Sequence, residues 1–154
     1  MRVEPKPEGL VRFLVGIFAF AFVLNWFWEM AQMTAYREMA SRPWGETSGL
    51  CARATLGDVA ITLLIYSTGA LAAGALRWGL QSRWNVYSAA ALLGAMHAFW
   101  IERAGIGFGR WAYMQTMPMV PMLKIGLWPF LQLTLLTPLT FWLSGRCAVA
   151  GRTH

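Results

Sequence analysis

Four long apolar stretches separated by short polar connections set the pattern of this 154-residue chain. They run from about Leu10 to Thr34, Thr55 to Leu76, Val86 to Arg103 and Met122 to Ser144. Each holds roughly 18–25 residues, enough to cross about 30 Å of hydrocarbon at about 1.5 Å of rise per residue. The pattern predicts an all-α fold: an integral membrane four-helix bundle of four spans, antiparallel and up-down, forming one domain over residues 1–154. Within the first stretch, Phe13 to Leu24 has the length of a signal-peptide core. It is followed by Asn25-Trp26-Phe27-Trp28-Glu29, which lacks the small residues of a cleavage site, so this span is expected to be retained.

Apolar helices in lipid need few polar groups, so each one that occurs asks for a reason. Asn25, Glu29, Gln32 and Tyr36 follow i, i+4, i+7, i+11 spacing and share one helix face. Asp58, Thr62, Tyr66 and Gly69, at i, i+4, i+8, i+11, make a similar face in the second stretch. The third carries His97 and, near its end, Glu102, which points about 140° away from it. In the fourth, Lys124, Trp128 and Gln132 are spaced as a further stripe. Counting helix rise from the nearer end places Asn25, Thr62, His97 and Gln132 roughly 8–15 Å deep. Glu29, Asp58, Glu102 and Lys124 fall in roughly the outermost 8 Å. In an antiparallel bundle all eight belong to the end bearing the first and third connections, and the other half of each helix reads as almost purely apolar.

Composition supports a lipid-facing surface. The chain is 57% hydrophobic and 13% charged, against about 25% charged for an ordinary soluble domain. The nine tryptophans suit membrane–water interfaces. A net charge of +6 would suggest nucleic acid in a soluble protein. Here the basic residues stand singly at the ends of apolar runs, as expected beside anionic headgroups, and no nucleic-acid partner is expected. Arg2, Lys6, Arg12, Arg77, Arg83, Arg146 and Arg152 lie on one side of this topology. Arg37, Arg42, Arg53, Arg103, Arg110 and Lys124 lie on the other. The small excess places both termini in the cytoplasm and the polar end outward. Acids are more lopsided, with Glu4 and Glu8 on the first side and Glu29, Glu38, Glu46, Asp58 and Glu102 on the second. Cys51 and Cys147 fall on opposite sides of the membrane, so neither a disulfide nor a zinc framework is expected.

The polar groups differ in how readily structure alone accounts for them. Amides and hydroxyls such as Asn25, Thr62 and Gln132 can serve as interhelical glue. Asp58 is placed to cap the start of its helix, where a carboxylate suits the dipole. Glu29 stands near a helix C-terminus, where the dipole disfavours an anion, and needs a proton, a cation or a ligand. Glu102 shares that difficulty, softened by Arg103. The third connection, with glycines at 105, 107 and 109 and prolines at 118 and 121, reads as a turn-rich loop. Its Arg110-Trp111-Ala112-Tyr113 run can bind an anionic group or anchor in headgroups. Pro129 and Pro138 invite kinks in the fourth helix.

An acidic mouth over an apolar base suits a cofactor-independent acid–base enzyme, an isomerase, hydratase or cyclase acting on an apolar lipid- or isoprenoid-like molecule. Glu29 is then the general acid, with His97 or Asp58 as base and Glu102 beside them. Asn25, Gln32, Tyr36, Thr62, Arg110, Trp111, Tyr113 and Gln132 become the substrate-binding set. The alternatives are a non-catalytic assembly or lipid-binding protein, as a homo-oligomer or in a larger membrane complex, and an outward-facing Cu(I) handler. The copper reading uses the soft thioethers of Met114, Met117, Met119 and Met122. Haem would pair His97 with Met30 or Met33. No Glu-x-x-His pair supports a di-iron site, and no metal ligand set is expected.

The string Trp28-Glu29-x-x-Gln32-x-x-x-Tyr36, followed by Cys51 and Gly57-Asp58, resembles short uncharacterised four-helix bacterial membrane proteins. The resemblance covers mainly the first two helices. It joins Glu29 to Asp58 and brings no activity with it; the expected location is a bacterial inner membrane.

Overall fold

The computed structural model describes residues 7–39, 41–81 and 83–150. The terminal charges Arg2, Glu4, Lys6 and Arg152 of the orientation argument lie outside them. The fold is all-α, with four long helices: α1 (Pro7–Gln32), α2 (Trp44–Ala73), α3 (Trp84–Gly107) and α4 (Leu127–Ala150). Short 3-10 turns at Met33–Ala35 and Trp78–Leu80 follow α1 and α2. A two-stranded hairpin, β1 (Met119–Val120) and β2 (Ile125–Gly126), precedes α4.

Two helical stretches, Glu8–Ala35 and Trp44–Ala73, are long and apolar enough to cross a membrane. The other two long helices do not reach that measure: α3 carries Asn85, His97, Glu102 and Arg103, and α4 three threonines and two prolines. All four helices nevertheless leave large apolar side chains uncovered. Val11, Val15 and Phe18 on α1 and Leu56, Leu64 and Leu71 on α2 are exposed, as are Leu92, Met96 and Trp100 on α3 and Leu135, Leu139 and Trp142 on α4.

α4 is the centre of the bundle, running along α1 on one side and α3 on the other, while α2 lies against α1. Small residues let the backbones close up. A Cβ on Gly94 of α3 would lie 2.3 Å from the Leu133 carbonyl oxygen of α4, so only glycine permits this approach. Gly16 near the start of α1 meets Ser144 near the end of α4, whereas Asn25 and Gln132 meet at the other end. That pairing makes α1 and α4 antiparallel.

The bundle has two unlike ends. At one, Phe13, Tyr66, Trp78 and Phe141 form an aromatic cluster with ring centroids 5.6–6.3 Å apart. The Trp78 indole N–H donates to the Tyr66 carbonyl at 2.8 Å, and the Tyr66 hydroxyl donates to the Leu76 carbonyl. This half is not purely apolar, as the pattern suggested. Thr137, Thr140 and Ser144 of α4 are buried in it, because hydroxyls can be turned inward on a helix whose outer face is apolar.

Three boundaries differ from the hydropathy reading, and each difference bears on the polar end. α2 begins at Trp44, right after Pro43, about three turns before the apolar run. Thr47, Cys51 and Thr55 are its buried face there, at four-residue spacing. Asp58 is therefore deep inside α2 and caps nothing. α3 continues through Gly105 and ends at Gly107, since Gly105 is packed tightly under the Trp111 ring rather than opening a loop. α4 starts at Leu127, and Lys124 sits in the hairpin turn with φ of 53°, exposed. The stripe expected for Lys124, Trp128 and Gln132 is thus cut before it starts. Pro129 falls in the first turn of α4, where a missing N–H costs no helical hydrogen bond, so it imposes no kink.

Candidate functional site

The polar face of α1 meets α4 in a hydrogen-bonded amide chain whose direction is set at both ends. The Trp28 indole, a donor only, donates to Gln32 Oε1 at 3.2 Å. Gln32 must then present its amino group, which donates to Gln132 Oε1 at 2.7 Å and to Glu29 Oε1 at 2.9 Å. Gln132 in turn presents Nε2 to Asn25 Oδ1 at 3.0 Å, Glu29 Oε1 at 2.9 Å and Asp58 Oδ2 at 2.9 Å. Asn25 closes the chain by donating to the Ala21 carbonyl at 2.8 Å, an acceptor only. No amide in this chain can be flipped without facing like groups.

Gln132 is consequently overdrawn. Its amino group has two hydrogens and three acceptors within 3.0 Å. Two of those acceptors are carboxyl oxygens, no more than about 5.8 Å apart (twice 2.9 Å), and if both were charged they would repel by about 3 kcal/mol at an effective dielectric of about 20.

Glu102 is served by a different set. The Trp111 indole donates to its Oε2 at 3.2 Å, and the Tyr113 hydroxyl donates to the same oxygen. Tyr113 itself accepts the Gly126 backbone N–H at 2.9 Å, which directs its own proton at Glu102. Burial and the neighbouring Glu102 push the Tyr113 hydroxyl pKa up, so it remains a donor. The loop that carries these two aromatics is tied to the end of α1. Arg37 N donates to the Ala112 carbonyl and Met114 N to the Ala35 carbonyl, both at 2.9 Å. The Glu38 carboxylate accepts the Ala112 N–H at 2.9 and 3.2 Å, and Tyr36 and Tyr113 pair across an antiparallel bridge.

Between the two sets lies a cavity of about 60 Å³. Glu29, Asp58 and Glu102, from three different helices, line it with Gln32, Tyr36 and Gln132. Ala98, Ile101, Pro129 and Leu133 form its apolar wall. No lysine or arginine among the described residues forms an ion pair with any of the three carboxyls.

Of the residues expected from the sequence, Glu29, Asp58, Glu102, Gln32, Tyr36 and Gln132 meet at the cavity, Asn25 one hydrogen bond behind. Trp111 and Tyr113 reach it through Glu102. Three stand elsewhere. His97 Nδ1 lies 2.8 Å from the Leu93 carbonyl of its own helix and does not line the cavity. The Thr62 hydroxyl donates to the Asp58 carbonyl at 2.8 Å, one turn back along α2. Arg110 is exposed, and its backbone N–H donates to the Gly105 carbonyl at 2.8 Å. Of the methionines, Met117 is buried, its sulfur close to Gly126, whereas Met122 is 94% exposed. Sequence reasoning missed Trp28 and Glu38. Trp28 lies four residues before Gln32, so the indole–amide contact was open to the same spacing rule; the contact of Glu38 with the distant Ala112 had no local signal.

Comparison with protein-family models, with curated proteins and with solved structures returned no match.

Proposed function

We propose that this chain is a four-span membrane protein whose polar end is the site of a cofactor-independent acid–base enzyme acting on an apolar lipid- or isoprenoid-like substrate. The membrane reading starts from the two stretches apolar enough to span. α3 and α4 lie alongside them and leave large apolar side chains uncovered, which suits lipid better than water. The proposed setting is a bacterial inner membrane, with both termini cytoplasmic and the polar end outward, an orientation that the slight basic excess favours.

The observation that carries the enzyme reading is three carboxyls, brought from three helices to one small cavity and paired with no lysine or arginine among the described residues. Such groups exist at a cost, and a proton to give or take is the chemistry that would justify it. The cavity bounds the substrate. At about 60 Å³ it holds only a few heavy atoms, whereas whole-ligand pockets run to about 300–1,000 Å³. The reacting end enters, and the apolar remainder lies against the lipid-facing bundle surface. Glu29→Gln keeps the shape of the side chain and removes its proton. Extracted lipids from cells carrying the wild-type chain, this variant or neither are compared by untargeted mass spectrometry. A lipid species altered by the wild type alone is the expected result. Indistinguishable profiles for wild type and variant would sink the reading and favour a non-catalytic lipid-binding or assembly role.

A further inference from the structure

We infer that the three carboxyls divide the work: Glu102 is the proton acceptor, kept ready by Tyr113 and Trp111, while Glu29 and Asp58 together hold the proton that is donated. This rests on the acid–base reading and deepens it by assigning the two roles.

The two walls of the cavity differ in their supply of hydrogens. Glu102 Oε2 receives two, one from an indole that can only donate and one from a phenol whose oxygen is already occupied by the Gly126 N–H. Neither donor is shared with a second carboxyl, and two donors held by one carboxyl favour its ionised form. On the opposite wall Gln132 Nε2 is shared between two carboxyls, and Glu29 Oε1 also takes a hydrogen from Gln32 at 2.9 Å. Gln132 faces three acceptors with two N–H groups, and its orientation cannot be reversed because Trp28 and Ala21 fix the ends of the amide chain. One proton between Glu29 and Asp58 leaves a single charge where two would crowd around that one donor.

The resulting step balances without any oxidant or reductant. Glu102 takes a proton from one carbon at the reacting end of an alkene. The electron pair of that C–H bond forms a new double bond, and the old double bond takes the proton of the Glu29–Asp58 pair at its far carbon. Glu102 is left protonated and the pair fully ionised, and one proton passing back across the cavity after the product leaves restores the start. Glu102 is thus a catalytic residue by this assignment, and Tyr113 and Trp111 are positioning residues acting through it.

Infrared difference spectroscopy of the purified protein near neutral pH reads these protons directly, through the C=O stretch of a protonated carboxyl. The expected wild-type spectrum has one such band, lost in Glu29→Gln and in Asp58→Asn and unchanged in Glu102→Gln. Tyr113→Phe is expected to raise proton occupancy at Glu102 by about tenfold, the equivalent of one lost charge-assisted hydrogen bond. It adds a second band, absent when Glu102→Gln is combined with it. A general loosening of the fold would disturb the first band as well. Trp111→Phe removes the other donor and gives the same answer should Tyr113→Phe fail to fold. A band that Glu102→Gln removes, that survives both pair variants, or that neither donor variant supplements overturns the assignment. The spectrum needs no substrate, so its failure strikes the division of roles alone, whereas unaltered lipids strike the acid–base reading itself.

Discussion

Replacing Gln132 with leucine tests whether the amide chain holds the polar end together. Four contacts end on this amide, one accepted from Gln32 and three offered to Asn25, Glu29 and Asp58. Two N–H groups can serve only two of the three acceptors fully, so about three hydrogen bonds are lost at once. Interhelical hydrogen bonds in bilayers average about 0.6 kcal/mol each and buried ones in soluble proteins about 1, which gives a loss of about 2–3 kcal/mol. Thermal unfolding in detergent then falls by about 4–12 °C for a chain of this size. Cys51 supplies the assay, because it is fully buried on α2 whereas Cys147 is exposed. In a Cys147→Ser background, a thiol-reactive dye reports unfolding as Cys51 becomes accessible. Thr134→Val is the control, since Thr134 bonds only to the Phe130 carbonyl of its own helix, at 2.6 Å. If Gln132→Leu costs no more than this control, the directed chain does not hold the helices and the proton count built on it falls.

Two glycine substitutions should move stability in opposite directions in the same assay. Gly94→Ala puts a Cβ 2.3 Å from the Leu133 oxygen and 2.9 Å from its carbon, both backbone atoms, so α3 must move off α4. A loss of about 1–3 kcal/mol is expected, and an unchanged melting temperature would show that the approach is not close. Gly57→Ala on α2 meets nothing within 4 Å and exchanges a poor helix former for the best one. It should stabilise by roughly 0.5–1 kcal/mol, and a loss would reveal a partner on that face.

How much of this was legible in the sequence follows from the range of each interaction. The α1 face was, because Asn25, Glu29 and Gln32 are placed by helical geometry alone, whereas Tyr36 lies past the helix end in extended backbone after the 3-10 turn. Gln132 was as well, as an amide in an apolar run. The start of α2 was not. Hydropathy reports where side chains prefer lipid, but Trp44 to Ala54 is helical through backbone bonds, with only one narrow buried face. Asp58 was accordingly read as a cap. The roles of Trp111 and Tyr113 were hidden for another reason. They depend on the pairing of Tyr36 with Tyr113, a contact with no period, between segments joined only through α2 and α3.

The corrected position of Asp58 changes the energetics of the whole cluster. A helix dipole helps an acid only within its first turn, and Asp58 lies roughly 20 Å along the axis from Trp44. Glu29 is one turn from the C-terminal end of α1, and Glu102 is between one and two turns from the end of α3. None of the three is helped by its own helix. Their compensation comes from side chains on other parts of the chain: Gln132 for the Glu29–Asp58 pair, Trp111 and Tyr113 for Glu102. Packing glue needs no carboxyls, since Asn25, Gln32 and Gln132 already join α1 to α4 with neutral groups. Amides could make the bonds that Glu29, Asp58 and Glu102 accept, so it is the choice of three ionisable groups, facing one cavity, that favours proton chemistry as the reading of the bundle's polar end.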